Sequence, residues 1–194
     1  MPGIALRRFY DGIEMEFDMS TETGLVTVEE FLKLPEPTGG HYELHHGEVV
    51  LVPPPKWGHE ALQDRLQVML KGIVARGSSV RMEMAFRPAP EFEVWRADVG
   101  FVAAERTART NEDEYLAGAP DLVVEVLSPG STADEINDKI ATCLDNGCSS
   151  FWVADPKRKR LSVTEGNITR HYGVSDSFHC DVLNATVSVR EIFE

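Results

Sequence analysis

The chain has 194 residues, of which 42% are hydrophobic and 26% are charged, and this composition is typical of a folded globular domain. Its formal net charge of −13 argues against the extended basic face that most nucleic-acid-binding proteins present, although metal ions bound at carboxylates can reverse the local sign of the charge. No apolar run has the length of a membrane span, and the N-terminus lacks a signal-peptide pattern. Three cysteines without metal-type spacing indicate reduced thiols, so we expect a cytoplasmic protein.

Helices and strands alternate along the predicted fold. Residues 1–24 form an N-terminal arm or hairpin, and a short helix begins at Thr27, where Glu30 completes a capping box. Strands follow at 41–45 and 48–52, and residues 58–76 form a long helix with one apolar stripe. The remaining predicted elements are strands at 79–87, 93–103 and 120–127, a helix at 132–146, strands at 150–154, 160–165 and 168–172, and one more strand with a short turn in the tail. This order predicts an α+β fold of mixed α/β character, with a mixed β-sheet flanked by helices in one domain over residues 25–194.

The most informative segment is PDLVVEVLSP at residues 120–129, which reads as a buried strand with a carboxylate, Glu125, in its middle. A buried ionised carboxylate is costly unless it is paired, hydrogen-bonded or bound to a metal. Asp121 is four residues away on the same strand face, which places it roughly 13 Å from Glu125. One ion cannot bridge that distance, so Asp121 is rejected as a ligand.

Asp98 is a better partner for Glu125, because it lies in a second strand with an apolar face, WRADVGFV at residues 95–102. If the two strands are neighbours, their carboxylates face each other and offer the oxygen ligands that Mg²⁺ prefers. A structural ion pair of Asp98 with Arg96 or Arg87 is the alternative. Lys139 lies at the border of the apolar stripe of its helix, where its ammonium could reach the sheet edge or lie at the surface.

This set of residues resembles the PD-(D/E)XK nuclease superfamily and, more closely, the Uma-two family of restriction endonucleases, long catalogued as a domain of unknown function. The resemblance runs from about residue 27 to residue 172. It is carried by Tyr42-Glu43-Leu44, Gly47-Glu48, His59, Arg96-Ala97-Asp98-Val99, residues 120–129, Lys139 and residues 151–156.

The resemblance implies a restriction-endonuclease-like fold and an endonuclease that hydrolyses DNA with Mg²⁺ or Mn²⁺. The implied catalytic residues are Asp98, Glu125, Lys139, Glu43 and His59. Asp98, Glu125 and the backbone carbonyl near Val126 would hold the metal. The chain departs from the superfamily pattern where Leu127 occupies the usual lysine position, which makes Lys139 the substitute, and where Ala97 and Cys143 replace a proline and an aromatic residue.

Other interpretations stay open at this stage. The protein could be an inactive interaction or regulatory module with the nuclease fold, or a metal-dependent hydrolase of a small phosphorylated molecule. His59 could be an acid–base or phosphate-binding group, or a structural histidine at the edge of the core. The basic run at residues 157–160 could be a solvated hairpin tip or a contact for a nucleic acid backbone. We further expect a homodimer with no membrane partner.

Overall fold

The computed structural model describes residues 24–194. Its helices are α1 (Val28–Phe31), α2 (Trp57–Ile73), α3 (Ala104–Thr107), α4 (Ala133–Asp145) and α5 (Val189–Phe193). Its strands are β1 (His41–His45), β2 (Glu48–Val52), β3 (Ser79–Arg87), β4 (Trp95–Val102), β5 (Leu116–Ala117), β6 (Leu122–Val126), β7 (Ser150–Asp155), β8 (Arg160–Glu165), β9 (Ile168–Gly173), β10 (Ser177–Cys180) and β11 (Ala185–Ser188).

A seven-stranded sheet organises the domain, with the strand order β5-β3-β4-β6-β7-β8-β9. Two of its neighbour pairs are parallel, β3 with β5 and β6 with β7, and the others are antiparallel. β1 and β2 form a separate hairpin, and an isolated bridge between Leu44 and Val94 joins β1 to the residue just before β4. The predicted mixed sheet is confirmed.

Helices α2 and α4 cover opposite faces of the sheet. Leu66 of α2 packs in one core cluster with Val124, whereas Ile140 of α4 packs against a second cluster that contains Val123. Val123 and Val124 are successive residues of β6, so their side chains point to opposite faces of the sheet. The described residues therefore form the predicted single α+β domain, with helices on both sides of a mixed sheet.

Several element ends differ from the sequence-based prediction by one or two residues, and three differences are larger. Helix α2 ends at Ile73 rather than residue 76, because Val74 has an extended conformation. The tail contains two paired strands, β10 and β11, and the short helix α5, where only one strand and a turn were predicted. Helix α3 and the two-residue strand β5 were not predicted. The predicted arm at residues 1–24 lies, apart from Gly24, outside the described residues.

Two further features bear on the class of protein. Within residues 24–194 no helix is both long enough and apolar enough to cross a membrane. Cys143, Cys148 and Cys180 are buried free thiols. Burial raises the pKa of Cys148 to about 12 and that of Cys180 to about 11, so these thiols stay protonated near neutral pH.

Candidate metal and active site

The candidate site begins where the backbone pairing of β4 and β6 ends. The antiparallel ladder runs from Phe101 opposite Leu122 to Val99 opposite Val124, and the next residues of the two strands are Asp98 and Glu125.

Beyond this point side chains replace the backbone hydrogen bonds. The N–H of Val126 donates to Asp98 Oδ2 at 2.6 Å, and the N–H of Asp98 donates to Glu125 Oε1 at 3.3 Å. The two carboxylates therefore occupy the fork between β4 and β6, and each accepts a hydrogen bond from the opposite strand.

Lys139 reaches this fork from α4. Its Nζ lies 2.9 Å from Glu125 Oε1 and donates to the carbonyl of Arg96 at 2.5 Å. Only 13% of its side chain is exposed, so the alternative of a surface lysine is wrong. Burial acts to lower the pKa of Lys139, but the negative charges of Glu125 and Glu43 outweigh it and raise that pKa, so the side chain stays an ammonium.

The single ammonium of Lys139 lies near three carboxylates, those of Glu125, Glu43 and Asp98. Burial raises the pKa of Glu125 above its usual range; Lys139 opposes this effect, whereas the charges of Asp98 and Glu43 add to it. A second cation near Glu125 would therefore favour its ionised form. The electrostatics of the fork match a binding site for a positive ion.

Asp98 is oriented by α2. His59 Nε2 lies 3.0 Å from Asp98 Oδ1, and Gln63 Nε2 donates to the same oxygen at 2.8 Å. Among the described residues Asp98 forms no ion pair with Arg96 or Arg87, and its charged partner is His59 instead. Burial acts to lower the pKa of His59, but the hydrogen bond to Asp98 and the charges of Asp98 and Glu125 outweigh it and raise that pKa.

Glu43 lies beside the fork and is linked to it through the backbone of Arg96. Its side chain is almost fully buried in β1, 3.1 Å from His41 Nε2 and 2.8 Å from His45 Nε2. Burial acts to raise the pKa of Glu43, but these two histidines and the charge of Lys139 outweigh it and hold that pKa well below its usual range. The backbone of Arg96 links Glu43 to the fork, since its N–H donates to Glu43 Oε2 at 3.1 Å and its carbonyl accepts from Lys139.

Asp121 is engaged elsewhere, at the other end of β6. It lies 3.1 Å from the guanidinium of Arg106 and accepts the N–H of Ala103 at 2.7 Å. Arg106 also donates to the carbonyls of Ala117 and Ala119. Asp121 therefore fixes α3 and the loop before β6, in agreement with its rejection as a ligand.

Four residues near the site were not selected from the sequence: Gln63, Glu83, His41 and His45. Gln63 lies four residues after His59, so both side chains share one face of α2 and a signal was present. His41, Glu43 and His45 likewise alternate on one face of β1. Nothing in the sequence indicated Glu83, which accepts a hydrogen bond from Gln63.

The donor set of the fork fits a hard divalent cation. Within the described residues no group of three or more His, Cys, Asp or Glu side chains is arranged to hold a metal. The candidate ligands are instead the carboxylates of Asp98 and Glu125 with the carbonyl of Val126, all oxygen donors. Mg²⁺ is commonly held by one or two carboxylates, with water and substrate phosphate completing its coordination.

Residues 157–159 of the basic run lie in the exposed connection between β7 and β8, and Arg160 is the first residue of β8. Arg158 pairs with Asp155 at 2.9 Å, and Lys159 lies 3.8 Å from Glu194. These contacts favour a solvated hairpin tip over a contact for a nucleic acid backbone.

Comparisons with known proteins point to one family. The model of the Uma2 (Uma-two) family, described as "Putative restriction endonuclease", matches residues 28–191. A crystal structure described as "a putative nuclease belonging to DUF820", from Anabaena variabilis, is 23% identical in sequence with a TM-score of 0.73. The match covers 87% of this chain and 97% of that one, and it shows that the two share a fold. The comparison with curated proteins found no match.

Proposed function

The chain belongs to the Uma2 family, and we propose that it is an endonuclease that hydrolyses phosphodiester bonds in DNA with Mg²⁺ or Mn²⁺. One observation carries the proposal. Two carboxylates from neighbouring strands and a buried ammonium meet at the fork between β4 and β6, with Lys139 Nζ 2.9 Å from Glu125 Oε1. Metal-assisted hydrolysis of a phosphodiester can use both parts of this set, the oxygen ligands for the metal and the positive charge beside the phosphate.

Asp98, Glu125 and the carbonyl of Val126 would hold the metal. A bound Mg²⁺ or Mn²⁺ would lower the pKa of a water ligand and neutralise negative charge at the phosphate. Asp98 is suited to this role because His59 and Gln63 fix its Oδ1 and the N–H of Val126 fixes its Oδ2. A ligand held in this way loses little conformational freedom when a cation binds.

Lys139 would act as a fixed positive charge. Because its pKa is raised, it is poorly suited to accept a proton near neutral pH and well suited to donate hydrogen bonds to a water molecule or to charge that develops on the phosphate. Glu43 would keep Lys139 in place through the backbone of Arg96. His59, which shares Asp98 with the metal site, would supply a second positive charge or an acid–base group.

The proposal includes three properties of the whole protein. DNA binding by a chain of net charge −13 should be weak, because few phosphates are neutralised by lysine and arginine side chains and few counterions are released. We also propose a homodimer in solution, which light scattering would test. The buried free cysteines support a cytoplasmic location.

The test is nicking of supercoiled plasmid at low salt with Mn²⁺ or Mg²⁺, with Glu125→Gln and Asp98→Asn beside the wild type. We expect metal-dependent nicking that EDTA stops and that both variants lose. Glu60→Gln, an exposed residue of α2, is the matched control and should cut like the wild type.

Other outcomes select between the alternatives. If the wild type and both variants are equally inactive, the endonuclease proposal fails and an interaction module with the nuclease fold becomes the better interpretation. If the wild type instead releases phosphate from small phosphate esters in a Glu125-dependent way, the substrate is a small phosphorylated molecule. Equal cutting by all proteins would indicate a contaminating nuclease.

A further inference from the structure

Glu83 has an unusual backbone conformation for its position. It lies within β3 and has φ +48°, whereas the other described non-glycine residues with positive φ, His46, Lys159 and Asn184, lie in turns or caps. The left-handed region is disfavoured for residues with a Cβ atom, and such strain often accompanies functional sites. The strand thus adopts a disfavoured conformation at this one residue.

The strained residue faces the candidate site. In the ladder of β3 and β4, Met82 pairs with Val99 and Met84 pairs with Ala97, so Glu83 occupies the level of Asp98. Its irregular backbone interrupts the ladder at that level.

Gln63 connects Glu83 to Asp98. The side chain of Gln63 is 2% exposed, and its Nε2 donates to Glu83 Oε1 at 2.6 Å and to Asp98 Oδ1 at 2.8 Å. Both donors of one buried amide group are therefore used by carboxylates. Loss of either acceptor would leave a buried N–H unpaired and free the amide to rotate.

We propose that Glu83 is a positioning residue of the site, which fixes the carboxylate of Asp98 through Gln63. Glu83 contacts Asp98 through Gln63, and its charge also helps to raise the pKa of His59, the other α2 residue beside Asp98. This inference rests on the proposed function, in which Asp98 holds the metal. The backbone strain at Glu83 places its carboxylate where it can orient the buried amide.

A comparison of the variants Glu83→Ala and Glu83→Gln tests the proposal. Measurements are the rate of plasmid nicking at saturating Mn²⁺, the Mn²⁺ concentration at half-maximal rate, and the melting temperature. Glu83→Ala should remain folded and lose about ten- to a hundredfold in metal affinity or rate, the usual effect of removing an outer partner of a metal ligand. Glu83→Gln keeps an oxygen that accepts from Gln63, so it should recover most of that loss.

Two further variants test whether Glu83 acts on Asp98 through Gln63. Gln63→Leu should reproduce the loss seen in Glu83→Ala, and the double variant should lose no more than either single variant, because both changes break one chain of contacts. Lys159→Ala changes another residue with positive φ, at the exposed hairpin tip, and should leave both metal affinity and rate unchanged. Losses that add in the double variant would overturn the route through Gln63.

Three results would overturn the positioning role. Glu83→Ala could cut like the wild type with the same metal dependence. Glu83→Gln could be as defective as Glu83→Ala, which would mean that the charge of Glu83 acts directly. A loss of rate that follows the loss of folded protein would make the residue merely structural.

A readout without cleavage separates this proposal from the proposed function. If the wild type proves inactive, the nuclease assignment fails, but NMR still tests the contact chain. Glu83→Ala should shift both the side-chain amide signals of Gln63 and the carboxyl carbon signal of Asp98, and Lys159→Ala should shift neither. An unmoved Asp98 signal would overturn the inference even in an active enzyme.

Discussion

Replacing Lys139 by Met tests the charge balance of the fork, because it keeps a long side chain and removes the buried ammonium. Lys139 and Glu125 are 13% and 11% exposed in their side chains, so the loss leaves a buried carboxylate without its main partner. Removal of one partner of a buried ion pair typically costs about 3–5 kcal/mol of stability. For a chain of this length that is a fall in melting temperature of roughly 6–20 °C. The full effect is expected only where Glu125 is ionised in the wild type, at about pH 8 and above, because burial raises its pKa to about 8.

The pH dependence of this loss identifies its cause. The pKa of Glu125 is raised above its ordinary value of 4.5 in the folded protein, and removal of Lys139 raises it further. A carboxyl group with a raised folded pKa stabilises the fold fully below its unfolded pKa and loses that effect as pH rises through the folded value. Lys139→Met should therefore be less destabilised at pH 5 than at pH 8.

Thermal unfolding at both pH values is the assay, with Lys33→Met as the control. Lys33 pairs with Glu29 at 3.0 Å, but both side chains are mostly exposed, so its loss should cost at most about 1 kcal/mol. Mn²⁺ should raise the melting temperature of Lys139→Met, since a cation at Glu125 replaces the missing charge. A melting temperature like that of the wild type, or the same deficit at both pH values, would refute this account of the fork.

Three other predictions concern individual carboxylates. Because the pKa of Glu125 is raised, protons compete with the metal for this carboxylate, and the cleavage rate should rise with pH. A tenfold higher Mn²⁺ concentration should move the midpoint of this rise to lower pH. A midpoint that does not depend on Mn²⁺ would contradict the ligand role of Glu125. Asp121→Asn should lower the melting temperature by weakening the contact with Arg106 but leave the cleavage rate of folded protein unchanged, whereas Asp98→Asn should abolish cleavage. The pKa of Glu43 is lowered in the folded protein, so its ionised carboxylate stabilises the fold at pH values above 4.5, the pKa in the unfolded chain, and loses this effect as pH falls. Glu43→Gln should therefore be more destabilised at pH 7 than at pH 3. Equal losses of stability at the two pH values would argue against an ionised Glu43.

Most of the fold could be predicted because its signals are local. The capping boxes of Thr27 with Glu30 and of Thr132 with Glu135 mark the starts of α1 and α4, and both are present in the structure. Helix α3 lacks such a side-chain cap, and its Arg106 is held by carbonyls of the segment before β6. An element stabilised by distant partners leaves little signal in its own sequence.

In the candidate site, too, some residues could be predicted from local sequence signals and others could not. Two apolar strands that each carry one carboxylate made Asp98 and Glu125 candidates, but their proximity depended on the strands being neighbours, which the pairing of β4 with β6 supplies. The border position of Lys139 on α4 was compatible with a surface location as well, and the family resemblance selected it. The histidines beside Glu43 could have been found from the two-residue period of β1. The positive φ of Glu83 could not, because glutamate has no preference for that conformation and only the surrounding structure imposes it.

The candidate metal ligands also hold the two strands together, and this decides which substitutions are informative. Val126 is buried, and its N–H donates to Asp98 Oδ2 at 2.6 Å, so Asp98→Ala would leave a buried donor unpaired at a cost of about 1–3 kcal/mol. A loss of cleavage in that variant would then have two causes. Glu125→Gln keeps the oxygen that accepts from the N–H of Asp98 and removes the negative charge that a divalent cation requires. In Asp98→Asn the new NH2 group faces either the N–H of Val126 or the amide of Gln63, because both oxygens of Asp98 accept hydrogen bonds. Loss of cleavage with an unchanged melting temperature in Glu125→Gln would therefore report on the metal site rather than on the fold.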